Sequence, residues 1–67
     1  MTDYIAWLGY EGESGMSVKR GTLAQVENEA RRIAATKNWQ EWANGRKTVL
    51  RVTRGARQMF VKSIILD

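Results

Sequence analysis

The stretch TLAQVENEARRIAATKN, residues 22–38, is typical of a capped amphipathic helix. Thr22 is a good N-cap, and Gln25, three residues later, completes a capping box in which each side chain satisfies a backbone N–H of the other residue. Apolar residues at helical spacing then form one stripe, which comprises Leu23, Val26, Ala30, Ile33 and Ala34. The pattern predicts a helix that ends near Lys37 or Asn38, and its stripe must pack against an apolar surface.

The flanking stretches predict that this surface is a β-sheet. Residues 4–10 (YIAWLGY) are rich in aromatic and β-branched residues, and residues 16–20 (MSVKR) fit a short return strand. Residues 47–54 (KTVLRVTR) and 58–66 (QMFVKSIIL) flank a short glycine-containing turn, as in an antiparallel hairpin. Residues 38–45 (NWQEWANG) are predicted to form a separate turn that Asn44 and Gly45 close.

We therefore expect an α+β fold in a single domain over residues 1–67. The predicted architecture is a small antiparallel sheet of three or four strands, in the order β-(β)-α-β-β along the chain. One helix packs on one face of this sheet. Since a single helix covers one face only, the other face is expected to stay open to solvent or to a partner.

Composition excludes several classes of function, because the 67 residues include no cysteine, no histidine and no proline. Disulfides and thiolate metal sites are therefore impossible, and the usual general base and commonest metal ligand are missing. We expect no enzyme activity, no metal and no cofactor. The N-terminus lacks a signal-peptide pattern, and no apolar run reaches the ~20 residues that span a bilayer. A cytoplasmic protein without membrane contact is the prediction.

A run of unopposed positive charge covers residues 46–62, which contain six cations and no acid. Solvated surfaces usually mix both signs, so the run favours contact with an acidic partner. The alternative is that outward charge only keeps the strands soluble and unpaired. The predicted partner-binding residues are the cations Arg46, Lys47, Arg51, Arg54, Arg57 and Lys62, with Phe60 and Tyr10 as apolar anchors.

Strand alternation assigns the strand residues to two faces. Leu50 and Val52 are expected to point toward the helix, together with Ile5, Trp7, Met59, Val61 and Ile65. The outward set is expected to contain Arg51 with Tyr4, Leu8, Tyr10, Phe60, Lys62 and Ile64. A register error of one residue would exchange the sets, so the sequence alone does not decide which face the helix covers.

Several alternatives stay open at this level. Trp39 and Trp42 either fill the end of the core or anchor a protein contact, as tryptophans in binding hot spots do. The outward face is compatible with a host protein or protein–nucleic acid complex, with nucleic acid bound directly by stacking and phosphate contacts, or with a second copy of the chain. The spacings of RNA-recognition sheets, helix-turn-helix proteins and zinc fingers are absent.

The capped helix resembles that of small phage-encoded proteins, the anti-CRISPR inhibitors of type I systems, in which a similar helix packs on an antiparallel sheet. The matching residues are Thr22, Leu23 and Gln25 at the cap and Arg32, Ile33 and Ala34 near the end. The resemblance implies a host-cytoplasmic inhibitor that docks on a protein–nucleic acid complex and blocks it stoichiometrically, by mimicry of nucleic acid or competition with it. Phage inhibitors of host RNA polymerase are similar at this level, and a small nucleic-acid-binding module is a further alternative. The resemblance transfers no functional residue.

Overall fold

A computed structural model describes residues 3–66 as a four-stranded antiparallel sheet with two helices on one face. The elements follow in the order β1 (Tyr4–Tyr10), β2 (Met16–Gly21), α1 (Leu23–Ala34), α2 (Lys37–Ala43), β3 (Thr48–Arg54) and β4 (Met59–Leu66). The strands lie in the order β2-β1-β3-β4, so β2 and β4 form the edges. The predicted α+β class is confirmed, but the expected single helix is wrong because there are two.

Helix α1 begins as its sequence predicts. The Thr22 hydroxyl accepts a hydrogen bond from the Gln25 backbone N–H at 3.2 Å, and the Gln25 side chain accepts one from the Thr22 N–H at 3.0 Å. This reciprocal pair satisfies two N–H groups that the first turn leaves without helical partners.

The end of α1 differs from the prediction, because the helix stops at Ala34 and a second helix starts at Lys37. Thr36 separates the two helices. Its hydroxyl donates to the Ile33 carbonyl at 2.7 Å and accepts from the Trp39 N–H at 3.3 Å, so one side chain closes α1 and caps α2. The predicted turn over residues 38–45 is therefore mostly helix α2. Its last part is right, since Asn44 and Gly45 adopt positive φ values of 51° and 84° and end the helix.

The core lies between α1 and one face of the sheet. Its buried side chains are Val26, Ala30 and Ala34 from α1, and Ala6, Leu8, Leu50 and Val52 from the two central strands. The predicted inward direction of Leu50 and Val52 is confirmed. Three alanines in so small a set keep α1 close to the sheet, which leaves room for few large side chains.

The predicted faces of β1 are reversed. Ala6 pairs with Val52 and Leu8 with Leu50, so these residues share the helix-covered face. Tyr4, Leu8 and Tyr10 therefore lie on the helix side rather than outward, while Ile5 and Trp7 lie on the opposite side rather than inward. Ala6 occupies the position beneath α1 that an indole would overfill, which is a physical reason for this register.

The faces of β4 are predicted correctly up to Phe60 and wrongly after it. Phe60 pairs with Thr53 and Lys62 pairs with Val52, so Val61 is an extra residue in a β-bulge. The bulge reverses the alternation, which places Lys62 and Ile64 on the helix side. Ile65, predicted inward, pairs with Val49 on the opposite side and is exposed. The bulged Val61 is partly exposed, and Met59 is too exposed to join the core.

Candidate binding face

The sheet face that the helices leave uncovered, called here the open face, is the candidate site. Three rows of residues lie across it, two of them from edge to edge and the third from β1 to β4. They are Arg20, Ile5, Thr53 and Phe60; Ser17, Trp7, Arg51 and Ser63; and Gly9, Val49 and Ile65. These rows combine two aromatic rings, three aliphatic side chains and two arginines, and they include no carboxylate.

Trp7 stands at the centre of the open face and is held in a fixed orientation. Its indole Nε1–H donates a hydrogen bond of 2.9 Å to the Thr53 hydroxyl on the neighbouring strand. The Arg51 guanidinium carbon lies 5.5 Å from the centre of the Trp7 ring, within the range of a cation–π contact. The half-buried indole and the exposed guanidinium are thus ordered before any partner arrives.

Apolar side chains continue the face toward β4. Phe60 is 66% exposed and Ile65 is 54% exposed on this face. Exposed apolar residues beside cations are typical of a contact surface rather than of a solvated one.

The charges of the open face are not balanced within the described part of the chain. The four salt bridges of residues 3–66 join Glu13 to Arg46, Glu27 to Lys62, Glu29 to Arg32 and Glu41 to Lys37. None of them involves Arg20 or Arg51, so the positive potential of both arginines is directed to solvent.

Three predicted binding residues lie on the helix side and interact with other residues of the chain, and the first is Lys62. This residue is on the helix side of β4, where it pairs with Glu27 of α1. Its predicted place on the outward face is therefore wrong, for the reason that the bulge at Val61 gives.

The other two are Tyr10 and Arg46, which interact with each other on the helix side. The Tyr10 hydroxyl donates to the Trp39 carbonyl at 2.7 Å, and its ring centre lies 4.6 Å from that of Trp39. Arg46 lies 4.6 Å above the Tyr10 ring and donates to the Glu13 carboxylate at 2.6 Å. Both side chains therefore already have partners within the chain.

Of the remaining predicted residues, some lie on or beside the open face and others do not. Arg51 and Phe60 lie on the open face, and Arg57 lies in the exposed turn at one end of it. Arg54 pairs with Tyr4 and Met59 on the helix side, at the end of β3, and Lys47 precedes β3; both are exposed.

Sequence reasoning missed Trp7, Arg20 and a cleft beside Trp7. The cleft has a volume of about 300 Å³ and lies between Trp7, Val49 and Arg51 on one side and the loop of residues 12–15 on the other. Gly9 forms part of it, and a Cβ on Gly9 would lie 2.8 Å from the Gly15 Cα. The two glycines therefore allow the loop to close against β1. Their spacing in the sequence does not by itself predict this close approach.

The two tryptophans of α2 have different roles. Trp39 packs against the core, and its Nε1–H donates to the Thr48 hydroxyl at 2.7 Å. Trp42 is 75% exposed beside an apolar depression that Tyr10, Ile33 and Trp39 line. Trp39 is thus a core residue, whereas Trp42 is a surface residue.

The chemistry available to the open face is binding through charge, stacking and apolar contact. The described residues contain no cluster of acidic side chains that would hold a metal ion. Neither helix, at twelve and seven residues, has the length or the apolar character needed to cross a bilayer. The pKa of Glu29 is lowered because Arg32 donates hydrogen bonds to its carboxylate, but this pair lies on α1, away from the open face.

Comparison with known proteins finds no family model, no curated protein and no solved structure that matches this chain.

Proposed function

We propose that the chain is a non-enzymatic binding protein whose open face docks on an acidic surface of a host protein–nucleic acid complex and blocks that complex stoichiometrically. The observation that carries the proposal is the ordered pair of Trp7 and Arg51 at the centre of a face whose strand residues include no acid. Glu13 lines the cleft beside this pair, but Arg46 holds its carboxylate. Tryptophan and arginine are the side chains most enriched in binding hot spots.

The geometry favours a protein surface over bare nucleic acid as the primary contact. Arg51 already lies over the Trp7 ring, so this ring offers little free area for a stacked base. Phe60 is the exposed aromatic ring of the face, and it sits beside aliphatic side chains that complement an apolar patch better than a phosphate backbone. The arginines then supply pairing with carboxylates of the partner.

The blocking of a host complex rests on the resemblance of α1 to that of phage-encoded inhibitors of type I CRISPR complexes. It is tested with a purified type I surveillance complex and with a bacterial RNA polymerase, each incubated with labelled target DNA and increasing amounts of the chain. We expect one of the two complexes to lose DNA binding or initiation at about one chain per complex. If neither loses activity with the chain in excess, the proposed inhibition is wrong.

Charge reversal on the open face tests the docking surface. The double variant Arg20→Glu and Arg51→Glu should abolish inhibition, and Phe60→Ala should weaken it at least tenfold. The matched control is Arg31→Glu with Lys37→Glu, which changes the net charge by the same four units on the helix side. Equal inhibition by both double variants would exclude the open face as the contact surface.

Direct nucleic-acid binding is separated by its salt dependence. A chain that binds duplex DNA through phosphates loses affinity with a log–log slope of about −0.9 per contact. We expect no retardation of free duplex or single strands at concentrations that inhibit the complex. Retardation with that slope, lost in the variant carrying Arg20→Glu and Arg51→Glu, would replace the proposal by the nucleic-acid-binding alternative.

A further inference from the structure

Helix α2 carries an exposed aromatic ring beside an apolar depression, on the side of the sheet away from the open face. Trp42 is 75% exposed and forms one wall of this depression. The depression has a volume of about 330 Å³, and Tyr10, Ile33 and Trp39 also line it. An exposed tryptophan that adjoins an apolar depression is typical of a contact surface.

The floor of the depression is fixed by hydrogen bonds inside the chain. The Tyr10 hydroxyl donates to the Trp39 carbonyl at 2.7 Å, and the Trp39 Nε1–H donates to the Thr48 hydroxyl at 2.7 Å. The polar groups of both rings are therefore satisfied before any partner arrives, and the rings present apolar surface. The occupant that fits such a depression is an aromatic or aliphatic side chain.

The charges around the depression are balanced, in contrast to those of the open face. Lys37 and Glu41 form an ion pair one turn apart on α2, and Glu13 holds Arg46 just after this helix. Helix α2 therefore has no net charge. An acidic surface gains little beside cations that already have acidic partners, whereas a surface with the same balanced charges meets no repulsion.

We propose that this patch binds a second copy of the chain, with the two α2 helices antiparallel across a two-fold axis and each Trp42 in the depression of the other copy. Asn38 and Trp42 are four residues apart, so they share one face of α2. Antiparallel alignment opposes Trp42 to the partner's Asn38, and Asn38 lines the depression. A single two-fold rotation therefore places both indoles in both depressions, as a self-complementary contact requires.

The charged residues of α2 favour the same alignment. Lys37 and Glu41 are also four residues apart, on the flank of the helix next to Trp42. The two-fold rotation brings Lys37 of each copy beside Glu41 of the other, which gives two pairs of unlike charge. A parallel alignment would instead oppose lysine to lysine and glutamate to glutamate. Charge complementarity thus supports an antiparallel pair of identical chains.

The size of the contact sets its strength. A buried aromatic side chain covers about 150–250 Å², so two indoles and the walls they contact remove roughly 600 Å² from solvent, below the ~1,200 Å² of standard interfaces. The dimer is accordingly reversible and forms with rising concentration. Both open faces stay on the outside of it, because α2 lies on the opposite side of each sheet.

Truncation of Trp42 tests the contact. In sedimentation velocity from low micromolar to millimolar concentration, the purified chain should shift from the mass of one copy to that of two. Trp42→Ala should raise the dissociation constant at least tenfold. Phe60→Ala is the matched control, because it removes a ring that is 66% exposed on the open face, and it should leave the constant unchanged. A chain that stays monomeric, or an equal effect of both variants, would overturn the proposal.

Mixing of two charge variants tests the antiparallel alignment. Lys37→Glu and Glu41→Lys each oppose like charges in their own dimers, so each should weaken dimerisation about fivefold. In an equimolar mixture the introduced glutamate faces the introduced lysine, and the native lysine faces the native glutamate. Mixing changes no contact within either chain, so recovery of the affinity reports a contact between copies. A mixture as weak as its components would show that the alignment is wrong.

The dimer tests are independent of the proposed docking on a host complex. They use the purified chain alone, and circular dichroism checks that each variant folds. The docking tests measure inhibition at about one chain per complex, in dilute solution where the reversible dimer is dissociated. Loss of the dimer with inhibition intact therefore refers to the Trp42 patch only, and the converse result refers to the open face only.

Discussion

Truncation of Leu8 tests the strand register that determines which residues reach the open face. Leu8 is 1% exposed beneath α1, whereas Ile65 on the opposite side of the sheet is 54% exposed. Shortening a buried leucine to alanine costs about 2–5 kcal/mol, because it removes buried methyl groups and leaves a cavity. A domain of this length has a total stability of roughly 3–10 kcal/mol, at about 0.05–0.15 kcal/mol per residue. Leu8→Ala should therefore remove a large part of the free energy of unfolding.

The matched substitution Ile65→Ala should cost less than about 1.5 kcal/mol, since its side chain is only partly buried. Thermal and urea unfolding, followed by circular dichroism at low micromolar concentration, measures both. In a domain of 60–100 residues each kcal/mol lowers Tm by about 4–8 °C, so Leu8→Ala should lower it by at least about 8 °C. A loss for Leu8→Ala no larger than that for Ile65→Ala would show that Leu8 is not buried beneath α1, and the description of the open face would then be wrong.

Other expectations concern single contacts. Thr53→Val removes the hydroxyl that accepts the hydrogen bond of the Trp7 indole. It should lower the free energy of unfolding by about 1 kcal/mol and shift the tryptophan emission spectrum. An unchanged thermal unfolding curve would mean that the hydrogen bond is absent. Thr22→Ala removes the N-cap of α1 and should cost about 1 kcal/mol, against a few tenths for Thr22→Gly, both measured by urea unfolding. Because Arg32 lowers the pKa of Glu29, their pair stabilises the fold above the ordinary carboxyl pKa and loses its effect as the pH falls through the lowered value. Glu29→Gln should reduce the acid sensitivity of Tm in that window, by a small amount that salt removes, and an unchanged pH profile would contradict it.

The predictions that held are those that depend on neighbours in the sequence. The capping box at Thr22 and the apolar stripe of α1 are local patterns, and both occur in the fold. The short helix α2 was missed although its signal is local as well. Thr36 three residues before Trp39 is an N-cap pattern, but Trp39 falls opposite the apolar stripe of a continued α1, and Asn44 and Gly45 indicate a turn.

The faces of the strands could not be predicted in the same way. In YIAWLGY both alternating sets are apolar, so periodicity does not distinguish them and packing beneath α1 decides. Ala6 and Leu8 fit the thin space under α1, and Trp7 finds a hydrogen-bond partner on the other side. In β4 a single bulged residue reverses the alternation, and the segment carries no glycine that would have indicated a bulge there.

The charge run of residues 46–62 shows a third limit of sequence reasoning. The run has no acid within it, but Arg46 is paired with Glu13 and Lys62 with Glu27, and both acids come from earlier parts of the chain. Neutralisation thus depends on tertiary contacts that the order of residues does not reveal. The same folding brings Arg20, which lies outside the run, to the open face beside Ile5.

The redistribution of charge has a consequence for how the open face binds. Acids on the helices and in the β1–β2 loop pair with cations on the helix side. These pairs relieve the mutual repulsion among the helix-side cations. The arginines of the open face form no such pair within residues 3–66. An arginine stacked on a fixed indole loses less side-chain freedom on binding than a free one, because its position is already restricted. The affinity of the open face should therefore depend more on Trp7 and Arg51 acting together than on the number of cations around them. A double-mutant cycle between Arg51→Ala and Thr53→Val would measure this coupling, and additive losses would refute it.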